Sequence, residues 1–206
     1  MTGLRERKKA ETRAALGWAA IHLTVERGYD NVRVEDIAEA AGVSPRTFNN
    51  YFSSKAEAIA FRHLDRSLRT AAALRERPAD EPLWAALTGA ALEQFTPGPE
   101  VEAMPSPVHT QWVTGVRAML AEPALQGERL RAVAVAEAEL AAAVAERTGT
   151  DLATDMYPRL VAAAASAAVA VAVRHYLDSA APPTPIERLI TDAFTQVAAG
   201  LPAPPR

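Results

Sequence analysis

Residues 34–52 constrain this chain more than any other stretch. Val34, Ile37, Ala38 and Ala41 recur at helical spacing, and Gly42 follows them. Ser44 and Pro45 then open a second short run, in which Phe48 and Phe52 lie four apart. Serine is a favoured N-cap and proline a favoured first helical residue. Glycine takes the positive φ that most residues resist. The pattern predicts two short helices joined by a glycine-containing turn, a helix-turn-helix geometry. Ile37, Ala38, Val43, Phe48 and Phe52 can pack together and against a preceding helix, and Ala38 is small where two helices must cross closely.

The rest of the chain reads the same way. Alanine is abundant, and Val, Ile and Thr do not form alternating runs, so helix is favoured over strand. Residues 4–27 form a first helix, with Leu16, Ala19, Ala20 and Leu23 on one face and Gly28 just past its end. A fourth helix is expected over 55–75, followed by breaks at Pro78 and Pro82. Further helices are expected over 83–95, 108–120, from Pro123 to about 147, over 151–177 and over 185–199. Residues 96–107 are irregular and rich in Pro and Gly, 180–185 form a loop, and the proline-rich tail 201–206 should fray. There is no internal repeat. About nine helices predict an all-α fold, divided into a three-helix N-terminal domain over 1–54 and a larger helical domain over 55–206. A chain of 206 residues can bury a core of its own.

Composition removes several classes of function. There are no cysteines, which excludes disulfides, thiolate metal sites and a cysteine nucleophile. His22, His63, His109 and His175 have no metal-ligand spacing, so no metal is expected. No Gly-rich phosphate loop or nucleophile elbow is present, and no cofactor or enzymatic activity is expected. The start of the chain is basic rather than apolar, unlike a secretory signal. The longest apolar run, 160–173, falls short of the ~20 residues of a spanning helix and reads as a buried helix; a soluble, cytoplasmic protein without a membrane partner is expected. Charge is unevenly spread. Residues 1–55 hold nine basic and seven acidic side chains, and 56–206 hold 13 and 18. A basic start on an acidic protein suggests an anionic partner for that end alone.

The second helix of the turn motif leaves Ser44, Pro45, Arg46, Thr47, Asn49, Asn50 and Tyr51 exposed. Arginine can fork onto guanine, asparagine onto adenine, and threonine can touch a thymine methyl. From Gly28 through Asp36-Ile37-Ala38 and Ala41-Gly42-Val43 to Tyr51-Phe52-Ser53-Ser54-Lys55, residues and spacing resemble the DNA-binding domain of TetR/AcrR-family transcriptional regulators. The resemblance covers roughly residues 5–60; the remainder matches that family in length and helix count only. It implies that the third helix enters a major groove with Arg46 and Thr47 near base edges, while Asn49, Asn50 and Tyr51 reach bases or phosphates. It also implies that Lys55 and Arg33 meet phosphates and that the basic start adds backbone contacts. Three positions depart from the family pattern. Arg33 replaces a capping Ser or Thr, Asn49 an aromatic residue, and Thr24 a frequent Phe.

The resemblance further implies a homodimer on a palindromic double-stranded DNA operator, with 151–177 and 185–199 forming the dimer bundle and Ala165 and Ala168 bracketing its seam. It also implies release by a small molecule. Trp84, Phe95, His109, Trp112 and Met119 are candidate walls of a pocket for an apolar or amphipathic effector. Two other readings compete: the same fold acting as an activator or without a ligand, and an all-α carrier or enzyme whose helix-turn-helix is structural.

Overall fold

The computed structural model describes residues 3–95, 109–179 and 184–203, apart from the side chains of residues 109 and 110. The described residues hold nine α-helices and no strand: α1 (Leu4–Arg27), α2 (Val34–Ala40), α3 (Pro45–Asn49), α4 (Lys55–Glu76), α5 (Leu83–Glu93), α6 (His109–Ala121), α7 (Gln126–Thr148), α8 (Tyr157–Asp178) and α9 (Ile186–Ala198). Single 3-10 turns precede α2 (Tyr29–Asn31) and α7 (Pro123–Leu125). Packing gathers them into two compact units. One holds the described residues up to Leu64 together with those from the start of α6 to Ala132; the other holds the rest. This division cuts across the sequence boundary at residue 54, because α4 and α7 each run through both units.

In the first unit, the predicted stripe of α1 is the buried one: Leu16, Ala19, Ala20 and Leu23 all lie in its core. Gly28 ends the helix at φ +80°, and its N–H donates to the Thr24 carbonyl at 2.9 Å. Gly42 adopts φ +68° between α2 and α3. Ser44 Oγ accepts the Thr47 N–H at 3.1 Å, and Pro45 occupies the first turn, so the cap is the predicted one. Phe48 and Phe52 are fully buried with ring centroids 5.7 Å apart. The helix itself is shorter than that spacing suggests. α3 ends at Asn49, and Tyr51 and Phe52 follow in a turn whose N–H groups return to the Phe48 carbonyl.

Two glycines permit close helix crossings. A Cβ on Gly17 would meet the Ala58 carbonyl oxygen at 3.2 Å, and one on Gly115 would lie 2.5 Å from Val25 Cγ1 and 2.6 Å from the Val25 carbonyl oxygen. The α1–α6 crossing therefore requires a residue without a side chain at 115.

The second unit buries Leu74, Leu87, Val144, Ile190 and Phe194 among alanines from α4, α5, α7 and α8. α9 packs chiefly on α8 and also on α5. α8 begins six residues later than the predicted 151. Asp151 Oδ1 accepts the Ala153 N–H and Asp155 Oδ2 accepts the Asp151 N–H, both at 2.8 Å. These side chains offer the backbone a turn in place of a helix, and Pro158 then fits the first turn of α8. Ala165 and Ala168 were expected at a dimer seam, but both are buried within the protomer, at 2% and 5% exposure. The outward side of α8 carries Leu160, Ala163, Ala167, Ala170 and Val171 along its middle, with Arg159 and Arg174 exposed at either end of that stretch. The helix is long and apolar enough to cross a membrane by length and composition alone. Its other face (Val161, Ala162, Ala165, Ala168 and Ala172) belongs to the protein core.

Candidate nucleic-acid interface

The recognition face is built from below. Phe48 anchors α3, and behind it Phe52 stacks on Phe61 of α4 at 5.4 Å. The Arg13 guanidinium lies 4.3 Å from the Phe61 ring centre, so α1, α3 and α4 share one aromatic floor. With that face fixed inward, the opposite face must point out. Ser44, Pro45, Arg46, Asn49 and Asn50 are exposed, and Thr47 and Tyr51 are half-buried. Ser44 Oγ and Thr47 Oγ1 are 2.9 Å apart, so each hydroxyl helps to fix the other. The exposed surface is a compact set of guanidinium, amide and hydroxyl groups on a rigid support.

Arg33 is exposed at the start of α2. Its side chain makes no cap, as its chemistry requires, but Asp36 accepts the Arg33 backbone N–H at 2.7 Å. Half of a capping box thus survives the departure from Ser or Thr. Lys55 is placed differently from what the sequence suggests. Its ammonium donates to the Tyr29 carbonyl at 2.5 Å and the Val32 carbonyl at 2.9 Å, and lies 3.9 Å above the Tyr29 ring centre. Glu57, two residues on, accepts both the N–H and the hydroxyl of Ser53 at 2.7 Å. Lys55 therefore fastens the loop entering α2 to the first turn of α4.

An open groove of about 800 Å³ separates the first turns of α1 from the end of the recognition segment. Arg5, Lys8 and Lys9 line one side; Thr47, Asn50 and Tyr51 line the other.

The five candidate effector contacts do not share one core. Trp84 and Phe95 pack against the core of the second unit, where Trp84 meets Phe194 edge-on at 6.2 Å and the Arg66 guanidinium lies 4.2 Å from the Phe95 ring centre. Trp112 and Met119 belong to the core of the first. The His109 side chain and the 96–107 segment lie outside the described residues. Trp112 meets His22 in a tilted contact at 4.9 Å, and His22 in turn lies 5.9 Å from Trp18, across which the Arg62 guanidinium sits at 4.4 Å. Burial pushes the His22 pKa below its ordinary value, with Glu26 opposing. Sequence reading missed this ladder because its members come from α1, α4 and α6. Among the described residues, no group of three His, Asp or Glu could hold a metal ion.

Comparison with known proteins agrees with this geometry. Residues 18–59 match the family described as bacterial regulatory proteins, tetR family. Residues 81–202 match the one described as the MftR C-terminal domain. The HTH-type transcriptional regulator TcmR of Streptomyces glaucescens is 36% identical over 179 residues, a span covering 84% of this chain and 76% of that protein. Among solved structures, a TetR-family regulator from Rhodococcus sp. superposes over 94% of this chain at a TM-score of 0.57 and 21% identity. The fatty acid degradation regulator FadR from Bacillus halodurans superposes over 92% at 0.58 and 16%. These two share the fold. With the helix-turn-helix, its exposed polar face and both halves of the chain matched, the protein belongs to the TetR family of DNA-binding transcriptional regulators.

Proposed function

We propose that this regulator is a repressor that binds a palindromic operator as a homodimer and leaves it when a small molecule binds. One observation carries the DNA contact: α3 exposes Arg46 and Asn49, and Asn50 just past its end, on a segment held from behind by the fully buried Phe48. In this reading Arg46 and Thr47 meet base edges, Ser44, Pro45, Asn49, Asn50 and Tyr51 meet bases or backbone, and Arg33 meets a phosphate. Lys55 acts one step removed, by holding the α2 entry loop in place.

The dimer reading is supported by the outward face of α8. Leu160 is 57% and Val171 63% exposed, with alanines between them. A contiguous apolar stretch of this kind on one helix side marks an interaction surface. A second copy joined through 151–177 and 185–199 would cover it. Two-fold symmetry then presents two α3 helices to half-sites about 34–36 Å apart. A ligand would favour a dimer geometry that misses this spacing, and it can do so only by binding that geometry better than the other. For that ligand an apolar or amphipathic molecule is the fitting class, with the half-buried Trp84 and Phe95 of the second unit as first candidates for contact. The protein would act in the cytoplasm, where its DNA lies.

A gel shift with the DNA flanking its own gene tests the reading. Wild-type protein should retard that fragment in preference to random duplex DNA, and Arg46→Ala should weaken that preference. An Arg46→Ala variant that binds both fragments as wild type does would refute α3 as the reader.

A further inference from the structure

Thr47 differs from the other groups of the recognition surface, because its hydroxyl is already engaged. Ser44 Oγ accepts the Thr47 N–H at 3.1 Å, and the two hydroxyl oxygens lie 2.9 Å apart. Two bonds between the same pair of residues close a ring over the first turn of α3 and hold both side chains in place. Two hydroxyls joined by one bond keep one proton to spare. Ser44 is exposed and Thr47 half-buried, so the spare proton is better hydrated on Ser44, and Thr47 donates inward. Threonine is branched at Cβ, so fixing Oγ1 also fixes the γ-methyl at a neighbouring staggered position. Thr47 lines the open groove on the same side as Asn50 and Tyr51. What it has left to offer there, beside an amide and a phenol, is a preset methyl group rather than a hydrogen bond.

We propose that Thr47 reads the C5 methyl group of a pyrimidine and accepts 5-methylcytosine as well as thymine, so that the regulator senses cytosine methylation in its DNA. The proposal rests on the reading of α3 as the major-groove helix and names the chemical group that one of its side chains recognises. Thymine displays its C5 methyl in that groove, whereas cytosine displays an amino donor beside a bare C5. Methylating cytosine at C5 puts a methyl at the ring position where thymine has one. A free threonine hydroxyl would sort bases by their donors and acceptors. A methyl whose own hydroxyl is tied back sorts only a methylated C5 from a bare one. Thr47 therefore gains contact area from either methylated pyrimidine, and the choice between them falls to neighbouring hydrogen-bonding groups.

The test uses the full chain, a random-sequence duplex and the DNA flanking its own gene, the latter prepared once with thymine and once with uracil, which lacks only the methyl. Burying one methyl group is worth about a factor of four in affinity. Uracil should therefore weaken wild-type binding about four-fold per half-site, or roughly 15-fold for a dimer. Methyl contacts made by other residues add the same loss to every variant and cancel in the comparison. Thr47→Ser keeps the hydroxyl and drops the methyl, so its uracil penalty should be about four-fold smaller per half-site. Thr47→Val keeps the methyl and drops the hydroxyl, so its penalty should match that of wild type. An unchanged circular dichroism spectrum checks the fold of both. Replacing thymines one at a time then locates the position, where 5-methylcytosine paired with guanine should bind about four-fold more tightly than cytosine paired with guanine. That arm uses wild-type protein alone. An absent uracil penalty in wild type, an equal penalty in Thr47→Ser, a lost penalty in Thr47→Val, or equal binding of cytosine and 5-methylcytosine at the mapped position would each overturn the methyl contact. Wild-type protein that does not prefer the gene-flanking fragment to random DNA would overturn it together with the reading of α3. The two failures are distinguishable, because failure of the methyl contact alone leaves that preference intact.

Discussion

Lys55→Met separates two jobs that a lysine at this position can do. If Lys55 met a phosphate, removing it would flatten the salt dependence by about 0.9 per protomer with little effect on folding. The structure instead gives its ammonium to the carbonyls of Tyr29 and Val32, above the Tyr29 ring. Methionine keeps the length of the stem and removes only the charged donor. Each hydrogen bond to a charged group is worth about 1.5–3 kcal/mol. The site is only half-buried and the carbonyls can turn to water, so the expected loss is about 1–3 kcal/mol for the pair. For a chain of this size that corresponds to a melting temperature lower by roughly 2–12 °C. Operator affinity should fall as well, since the loop entering α2 is no longer fastened to α4, but the salt slope should not change. Thermal melting at fixed protein concentration and operator titration over a range of salt read the two effects separately. An unchanged melting temperature with a slope lower by about 0.9 per protomer would refute the clasp and restore the phosphate contact.

Arg46→Ala should cost about 1–3 kcal/mol of operator affinity and relax discrimination at one base position, measured by competition with single-base operator variants. Leu160→Glu and Val171→Glu, on the outward face of α8, should yield folded monomers by light scattering; Ala165→Glu, in the protomer core, should instead unfold the second unit. Gly115→Ala should destabilise the protein by about 1–3 kcal/mol in urea, because its methyl would overlap Val25 and the helices must part. His22 has a folded pKa below its unfolded value, so the unfolded chain binds the extra proton first and stability falls as pH drops through the mid-6 range toward the lowered folded value. His22→Gln should remove that component, seen as a smaller loss of urea midpoint between about pH 7.5 and pH 5.5 than in wild type.

Much of the fold was legible without coordinates, for local reasons. The Ser44-Pro45 start, the glycines at 28 and 42, and the apolar stripe of α1 each follow from forces within a few residues: capping, permitted φ and helical periodicity. The polar face of α3 was equally legible, because burying Phe48 fixes what points away from it. Three matters depended on residues far apart in sequence. Lys55 closes on Tyr29 and Val32, so its role is set by a loop more than 20 residues earlier. Gly115 is needed only because Val25 of another helix occupies the space beside it. In α8 both faces are apolar, so periodicity could not say which one the protomer buries. The packing of α9 on α8 turned Ala165 and Ala168 inward and left Leu160 and Val171 outside. Short-range forces thus determined the elements and the recognition surface, while side-chain volume and donor geometry between distant helices decided which identical-looking residues hold the structure together and which remain free to meet a partner.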